Sequence, residues 1–358
     1  MTPEVKVLIT GAGGFIGGWA VEILQLRGFE NVRAGVRRWS SAARIGRFPV
    51  QIVLCDVLDK NQVERAIEGV DVVVHCAVGP GDVIVKGTEN MLAASHRHGV
   101  KKFVHLSTID VYGTVEGDVD ETAPYQYSGS AYGDSKIEAE KVCWRYLERG
   151  VPTVVLRPTI VYGPYCKLWV LKYAERLLSG KWGVFKGIGD GICNLVYIQD
   201  LIDAIFLSVD SESAVGQAFN ISGLELVTWN EYFGKLNSAL GQPPLREIRA
   251  GKAKLRSRVI APVKATARFL MQHYGATLTR LYQRYSVAQK VMKRAEQTMI
   301  TMPGTSELSQ LSRKVRYSIS KAESMLGYAP RFSVDSGIEL SARWLDHESL
   351  IAHRVHLD

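Results

Sequence analysis

With 358 residues, 46% of them hydrophobic and 22% charged, the chain can bury a large core as one large domain or two smaller ones. No run approaches the ~18 uninterrupted apolar residues of a spanning helix, and the five cysteines form no CxxC and no Cys/His cluster of zinc spacing. The net charge of +8 is uneven: sixteen Lys/Arg against three Glu between Leu245 and Arg316 make a local +13 and leave −5 for the rest, so the basic character is one surface rather than a property of the fold.

The first strand candidate, Lys6–Thr10, runs directly into Gly11-Ala12-Gly13-Gly14-Phe15-Ile16-Gly17 and then a helical pattern of Trp19, Ile23, Leu24 and Leu26. A buried strand entering a glycine turn that opens a helix is the geometry that receives a dinucleotide pyrophosphate. Gly11 permits the tight turn, Gly14 lets backbone approach the phosphates, and Gly17 lets the helix pack closely on the strand. So early a strand leaves no room for a cleaved leader, and a reduced, cytoplasmic setting is expected. The second strand, Asn31–Val36, ends in Arg37-Arg38. An acid there bonds the ribose hydroxyls and repels a 2′-phosphate, whereas arginine accommodates that phosphate, so NADP is expected in preference to NAD.

Strands at Val50–Leu54, Val70–Cys76, Lys102–Ser107 and Pro152–Leu156 alternate with helices such as Asn61–Ile67 and Gly87–His98. This predicts an α/β fold, a doubly wound parallel sheet (Rossmann) whose ligands sit at the carboxyl ends of the strands. Leu195–Ile198 and a helix from Asp200 to Ser208 are expected to return to the same sheet. The dinucleotide-binding domain then spans 1–165, with 190–222 returning to it. A smaller, mostly helical substrate portion spans 166–189 and 223–358 and contains the basic extension 245–316. Between these elements, Tyr132-Gly133-Asp134-Ser135-Lys136 puts a phenol and an ammonium one helical turn apart on one face. A free phenol has a pKa of ~10, and a cation held nearby favours the phenolate. A cofactor seat combined with an acid/base couple is what carbonyl–alcohol redox chemistry requires. In the basic extension, Leu281, Tyr282, Tyr285, Ala288, Met292, Ala295 and Met299 follow helical spacing, with Arg280, Arg284, Lys290, Lys293 and Arg294 on the other side. Three readings stand: a helix packed on its own domain, peripheral contact with an anionic membrane through 259–299, or a pocket for substrate phosphates. No nucleic-acid-binding module is visible.

In order along the chain, Thr10–Gly17, Asp56-Val57, His75-Cys76-Ala77, Leu106–Gly113 (LSTIDVYG), Tyr132–Lys136, Arg157–Pro164 (RPTIVYGP) and Lys321–Pro330 (KAESMLGYAP) resemble the extended short-chain dehydrogenase/reductase family, nucleotide-sugar epimerase/dehydratase type. The resemblance covers nearly all of the chain except the basic extension. It implies Tyr132 as general acid/base, Lys136 as the residue that bonds the nicotinamide ribose and tunes Tyr132, and Thr108 as the second hydroxyl on the substrate oxygen. The cofactor contacts it implies are Gly11, Gly14, Phe15, Ile16, Arg37, Arg38, Asp56, Val57, Cys76, Ala77, Val78, Lys136 and Pro158, with no metal. Asp56 reads either as the partner of the adenine amino group or as a helix N-cap. Two departures bear on the substrate. Ile109-Asp110 stands where the sugar dehydratases carry Asp-Glu, and isoleucine cannot protonate a leaving hydroxyl, so dehydration is not expected. The stretch Val78–Val85 is short, with Ile84 where relatives tend to place asparagine, which implies a more open substrate side. The expected reaction is hydride transfer at a secondary alcohol/ketone carbon, by a reductase or an epimerase, on a nucleotide-activated or lipid-linked sugar. The alternative is a hydrophobic, sterol-like ketone. From a different class comes a regulatory protein that binds NADP without turnover, and the family also implies a homodimer.

Overall fold

The computed structural model describes residues 2–255, 257–259, 262, 266, 301 and 303–351, in two units. The first takes Met1–Tyr162, Asn194–Glu225 and Val315–Ser333; the second takes Gly163–Cys193, Leu226–Lys314 and Val334–Asp358.

Seven strands make the sheet of the first unit: β1 (Val7–Thr10), β2 (Val32–Val36), β3 (Gln51–Leu54), β4 (Val72–His75), β5 (Lys102–Leu106), β6 (Thr153–Pro158) and β7 (Ala218–Ile221). Their spatial order is β7-β6-β5-β4-β1-β2-β3, and every neighbouring pair is parallel. The chain order reverses between β1 and β4, and such a switch point leaves a crevice at the strand ends. Val7, Leu8, Ile9 and Thr10 are fully buried because helices cover both faces. Each apolar side chain among them contributes roughly 1.5–3 kcal/mol by leaving water.

The helices are α1 (Phe15–Leu26), α2 (Lys60–Ile67), α3 (Gly81–Arg97), α4 (Ala131–Glu148) and α5 (Ile198–Asp210). One cluster joins Met91 and Leu92 of α3 and Val142 and Cys143 of α4 to Leu8, Val73, Phe103 and Val155 of the sheet. A Cβ on Gly81 would lie 2.8 Å from Ser135 Oγ, so the start of α3 comes close to α4 there. That start is six residues earlier than the pattern from Gly87 suggested, because the chain enters the helix straight after Pro80.

Two expectations are corrected. Leu195–Tyr197 does not rejoin the large sheet; it pairs with Ile160–Tyr162 in a separate two-stranded sheet, and the seventh strand is β7. The partner changes after Pro158, where Thr159 N–H donates to Ile221 O and Ile160 N–H to Asn194 O. Residues 315–333, placed above in the substrate portion, belong to the first unit. Val315–Tyr317 pairs in parallel with Gly117–Val119, and Tyr317 stacks on Tyr112 at 5.9 Å.

The second unit is held by rings. Tyr173, Trp182, Phe185, Trp229, Tyr232 and Phe233 meet at centroid distances of 4.8 to 6.4 Å. The helix Trp229–Ala239 starts at a capping box of Thr228 and Glu231. Most of 259–299 lies outside the described residues, so the amphipathic reading of that stretch has no structural counterpart here. Among the described residues all five cysteines are free, no group of side chains could hold a metal ion, and no helix is long and apolar enough to cross a membrane.

Candidate active site

Strand ends β1, β4 and β5 lie in register at Thr10, His75 and His105. Thr10 Oγ1 is 2.8 Å from His75 Nδ1 and accepts from Ala77 N–H at 3.2 Å, which ties the two sides of the switch point together. Burial pushes the His75 imidazole down to about 3, with the Lys136 charge adding to the effect, so the ring is neutral at ordinary pH.

The glycine turn is fixed by backbone. Gly11 has φ +65°, and a Cβ there would meet Cys76 O at 2.8 Å and Ala77 Cα at 2.9 Å. A Cβ on Gly17 would lie 2.4 Å from Gly11 O. Gly14 N–H donates to Gly11 O at 2.8 Å, and Gly14 caps α1 without a side chain over the helix N–H groups. No acid stands in the first turn of that twelve-residue helix. An open, positive helix terminus lined by glycine fits a pyrophosphate. Phe15 and Ile16 open the helix, half-buried.

Arg37 and Arg38 follow β2, exposed, and neither side chain has a hydrogen bond or ion pair among the described residues. The next turn, Trp39–Ala42, comes so close to the glycine turn that a Cβ on Gly13 would meet Ser41 O at 2.3 Å, a contact the sequence reading missed. After β3, Asp56 Oδ1 accepts from Leu58 N–H at 3.1 Å. Asp59, not Asp56, caps α2 through Asn61 N–H and Gln62 N–H, which corrects the N-cap alternative for Asp56. Val57 is buried, and a Cβ on Gly87 would lie 2.5 Å from it. Cys76 and Ala77 follow β4 half-buried, and Val78 is 60% exposed. Ile84, 1% exposed, packs inside α3. Pro158 closes β6, buried.

Thr108 stands two residues past β5 and is buried. Its Oγ1 accepts from Asp110 N–H at 3.2 Å, and its side chain neighbours the Tyr132 phenol and favours the ionised form. Lys136 Nζ donates to Leu106 O and lies 6.0 Å from the centre of the Tyr132 ring. Thus α4 delivers Tyr132 and Lys136 to the end of β5, where Thr108 waits. The Tyr132 phenol is pushed up to about 12 by burial, then by the Asp110 charge, and is eased by Thr108. Tyr132 as a whole is 39% exposed. Lys136 is pushed down to about 8 by burial.

Behind this corner sits a group that sequence reasoning did not single out. Glu140, fully buried on α4, accepts from Ser107 Oγ, from Tyr125 OH at 2.8 Å, and from Arg157 at 2.7 to 3.2 Å. Arg157 Nη1 donates to Tyr112 OH at 2.8 Å, and Tyr112 OH to Asn220 Oδ1 at 2.8 Å. Residues 132, 136 and 140 recur every four positions on one helix face; that spacing was the available signal.

The sequence pattern of the NAD dependent epimerase/dehydratase family matches residues 7–222. The chain is 27% identical to the 2-alkyl-3-oxoalkanoate reductase of Stenotrophomonas maltophilia over 93% of this chain and 97% of that one. It is 30% identical to the UDP-glucose 4-epimerase of Vibrio cholerae over 66% of this chain and 76% of that one. Its fold is similar to the UDP-glucuronic acid 4-epimerase of Bacillus cereus solved in complex with NAD, with a TM-score of 0.71 and 20% identity over 96% and 99% of the two chains.

Proposed function

The chain belongs to the NAD dependent epimerase/dehydratase family, NAD(P)-dependent enzymes of the short-chain dehydrogenase/reductase type, and from that premise we propose that Tyr132, Thr108 and Lys136 serve hydride transfer at a secondary alcohol/ketone carbon. The observation that carries this reading is the convergence of Thr108, Tyr132 and Lys136 at the carboxyl end of β5, whose end lies in register with those of β4 and β1, the strand that runs into the glycine turn. The bound nicotinamide dinucleotide supplies the carbon that gives or takes the hydride. Backbone N–H groups from Gly14 onward face its pyrophosphate. Lys136 holds the nicotinamide ribose, and Arg37 and Arg38, unpaired and exposed, take a 2′-phosphate, so the cofactor is NADP rather than NAD. Thr108 and Tyr132 hold the substrate oxygen. On reduction, Tyr132 gives its phenolic proton to that oxygen; on oxidation, it takes the proton from the alcohol.

The first substrate reading is a nucleotide-activated or lipid-linked sugar, supported by the family and by the likeness to the V. cholerae epimerase. A second reading, a hydrophobic ketone, is favoured by the relative that covers nearly the whole of both chains and by exposed Val78 beside the cofactor edge. Incubation of the enzyme and NADPH or NADP+ with UDP-glucose, UDP-N-acetylglucosamine, a 2-alkyl-3-oxoalkanoate and a 3-hydroxysteroid separates the readings. Turnover of a sugar, lost in Tyr132→Phe, supports the first; turnover of the oxoalkanoate or steroid alone supports the second. Turnover that survives in Tyr132→Phe contradicts both.

A further inference from the structure

Two full charges, Glu140 and Arg157, are buried together in the first unit, with Glu140 fully buried and Arg157 4% exposed. Removing two ions from water costs several kcal/mol each, and an apolar pair of similar volume is often as stable, so stability alone does not account for them. Their placement offers another account. Glu140 stands one helical turn beyond Lys136 and two beyond Tyr132 on the same face of α4. Its carboxylate accepts from Ser107, the residue before Thr108, and from Arg157, the residue before Pro158. One carboxylate therefore ties the helix carrying the phenol and the ammonium to the ends of β5 and β6.

The charge bears on Lys136 as well. Burial drives this ammonium down to about 8, and the groups that act against that are Cys143, Cys76 and Glu140. Burial raises the Cys143 thiol well above its usual range and Cys76 to about 12, so both are neutral near pH 7. His75 and His105, which face Lys136 from β4 and β5, are held down by burial, so Glu140, ion-paired to Arg157 one helical turn away and the smallest of the three effects on Lys136, is the charged acid beside it. Burial also works against the Arg157 cation, but its hydrogen bonds to Glu140 and that group's charge outweigh the cost. Arg157 is not among the charges acting on Lys136.

We infer that Glu140 is a positioning residue of the reaction: locked by Arg157, it sets the register of α4 against Thr108 and holds the charge on Lys136. The inference rests on the assignment of Lys136 to the cofactor ribose made above. It reaches beyond that assignment by naming what keeps the lysine charged.

The test is the pH dependence of NADPH affinity between pH 7 and 10, read by the fluorescence of bound NADPH, for the wild type, Glu140→Gln, the double variant Glu140→Gln/Arg157→Met, and Lys136→Met. Thermal melting checks that each variant is folded. In the wild type, affinity falls as pH rises through the Lys136 midpoint. In Glu140→Gln that midpoint moves down by about one pH unit, the size of shift a lost neighbouring charge produces. The double variant, which leaves no unpaired Arg157 cation and remains available if the single variant does not fold, shows the same downward move. An unchanged midpoint in Glu140→Gln, or a wild-type midpoint in the double variant, overturns the inference. Lys136→Met separates the two levels. If it keeps the wild-type pH dependence, the assignment of Lys136 fails; if it flattens the dependence while Glu140→Gln changes nothing, only the role of Glu140 fails.

Discussion

Both units bury an Arg–Glu pair, and the neighbours of each pair decide what it does. In the first unit Glu140 and Arg157 are surrounded by hydroxyls: Ser107, Tyr112 and Tyr125. In the second, Arg176 and Glu307 form a two-pronged pair at 2.5 and 3.1 Å within a shell of rings. The Arg176 guanidinium lies 4.3 Å from the Trp182 ring centre and 5.0 Å from that of Tyr173, whose OH donates to Glu307 at 3.1 Å. Burial pushes the Glu307 carboxyl up, but Arg176 and then Lys172 outweigh it and hold the group below its usual range. The aromatic shell makes a clamp between Lys172–Leu178 and Thr305–Ser312. On the proposed assignment, the hydroxyl shell instead passes the position of a carboxylate on to Thr108, Tyr132 and Lys136. The same ion pair is then a fastener in one setting and part of the proposed reacting corner in the other.

That contrast can be broken in several places. The largest effect belongs to Tyr132→Phe, which removes the proton donor: turnover drops by about 10²–10⁴-fold, the usual worth of general acid–base catalysis, while NADPH affinity measured by fluorescence stays within about twofold. Next comes the clamp. Glu307→Gln removes the carboxylate charge that faces buried Arg176 and lowers stability in a denaturant titration by up to about 3–5 kcal/mol, with no change in the pH midpoint of NADPH binding. A midpoint that moved in Glu307→Gln would erase the distinction between the two pairs. At the glycine edge, Arg37→Ala/Arg38→Ala lowers NADPH affinity about tenfold or more and leaves NADH affinity unchanged, the mark of a lost 2′-phosphate contact; equal losses for both would point to NAD.

The smallest effect concerns the histidines behind the corner. Burial pushes His75 down to about 3 in the fold, and it lowers His105 well below its ordinary value, with the Lys136 charge acting on both in the same direction. Their folded values lie below the unfolded ~6.5, so the unfolded chain binds more protons and stability falls as pH drops below about 6.5. Both ring nitrogens of His105 lack a partner among the described residues. His105→Phe therefore raises the melting temperature by a few degrees, since an unsatisfied buried polar group costs about 1–3 kcal/mol, and it flattens the fall between pH 6.5 and 5. A steeper fall in the variant would contradict the account.

Legibility in the sequence followed the range of the physics. The glycine turn could be read because its constraints are local: a positive φ at Gly11 and a close approach at Gly17 act within a few residues of chain. Tyr132 and Lys136 could be paired because helical spacing fixes them on one face. The rest is set across the sheet. Glu140 meets Ser107 from 33 residues away and Arg157 from 17, and neither strand end announces that contact. The change of partner after Pro158 sends Leu195–Tyr197 to a side sheet and leaves the last place to the four-residue Ala218–Ile221.

The central claim is that the glycine edge seats a nicotinamide dinucleotide beside Tyr132, and an equilibrium titration of the purified protein with NADPH and with NADH tests it most directly. Protein denatured beforehand in a parallel sample shows whether nucleotide was already retained. The account predicts saturable binding of NADPH, tighter than that of NADH, or retained NADP(H) released on denaturation. A protein that carries no nucleotide and binds neither dinucleotide would contradict it.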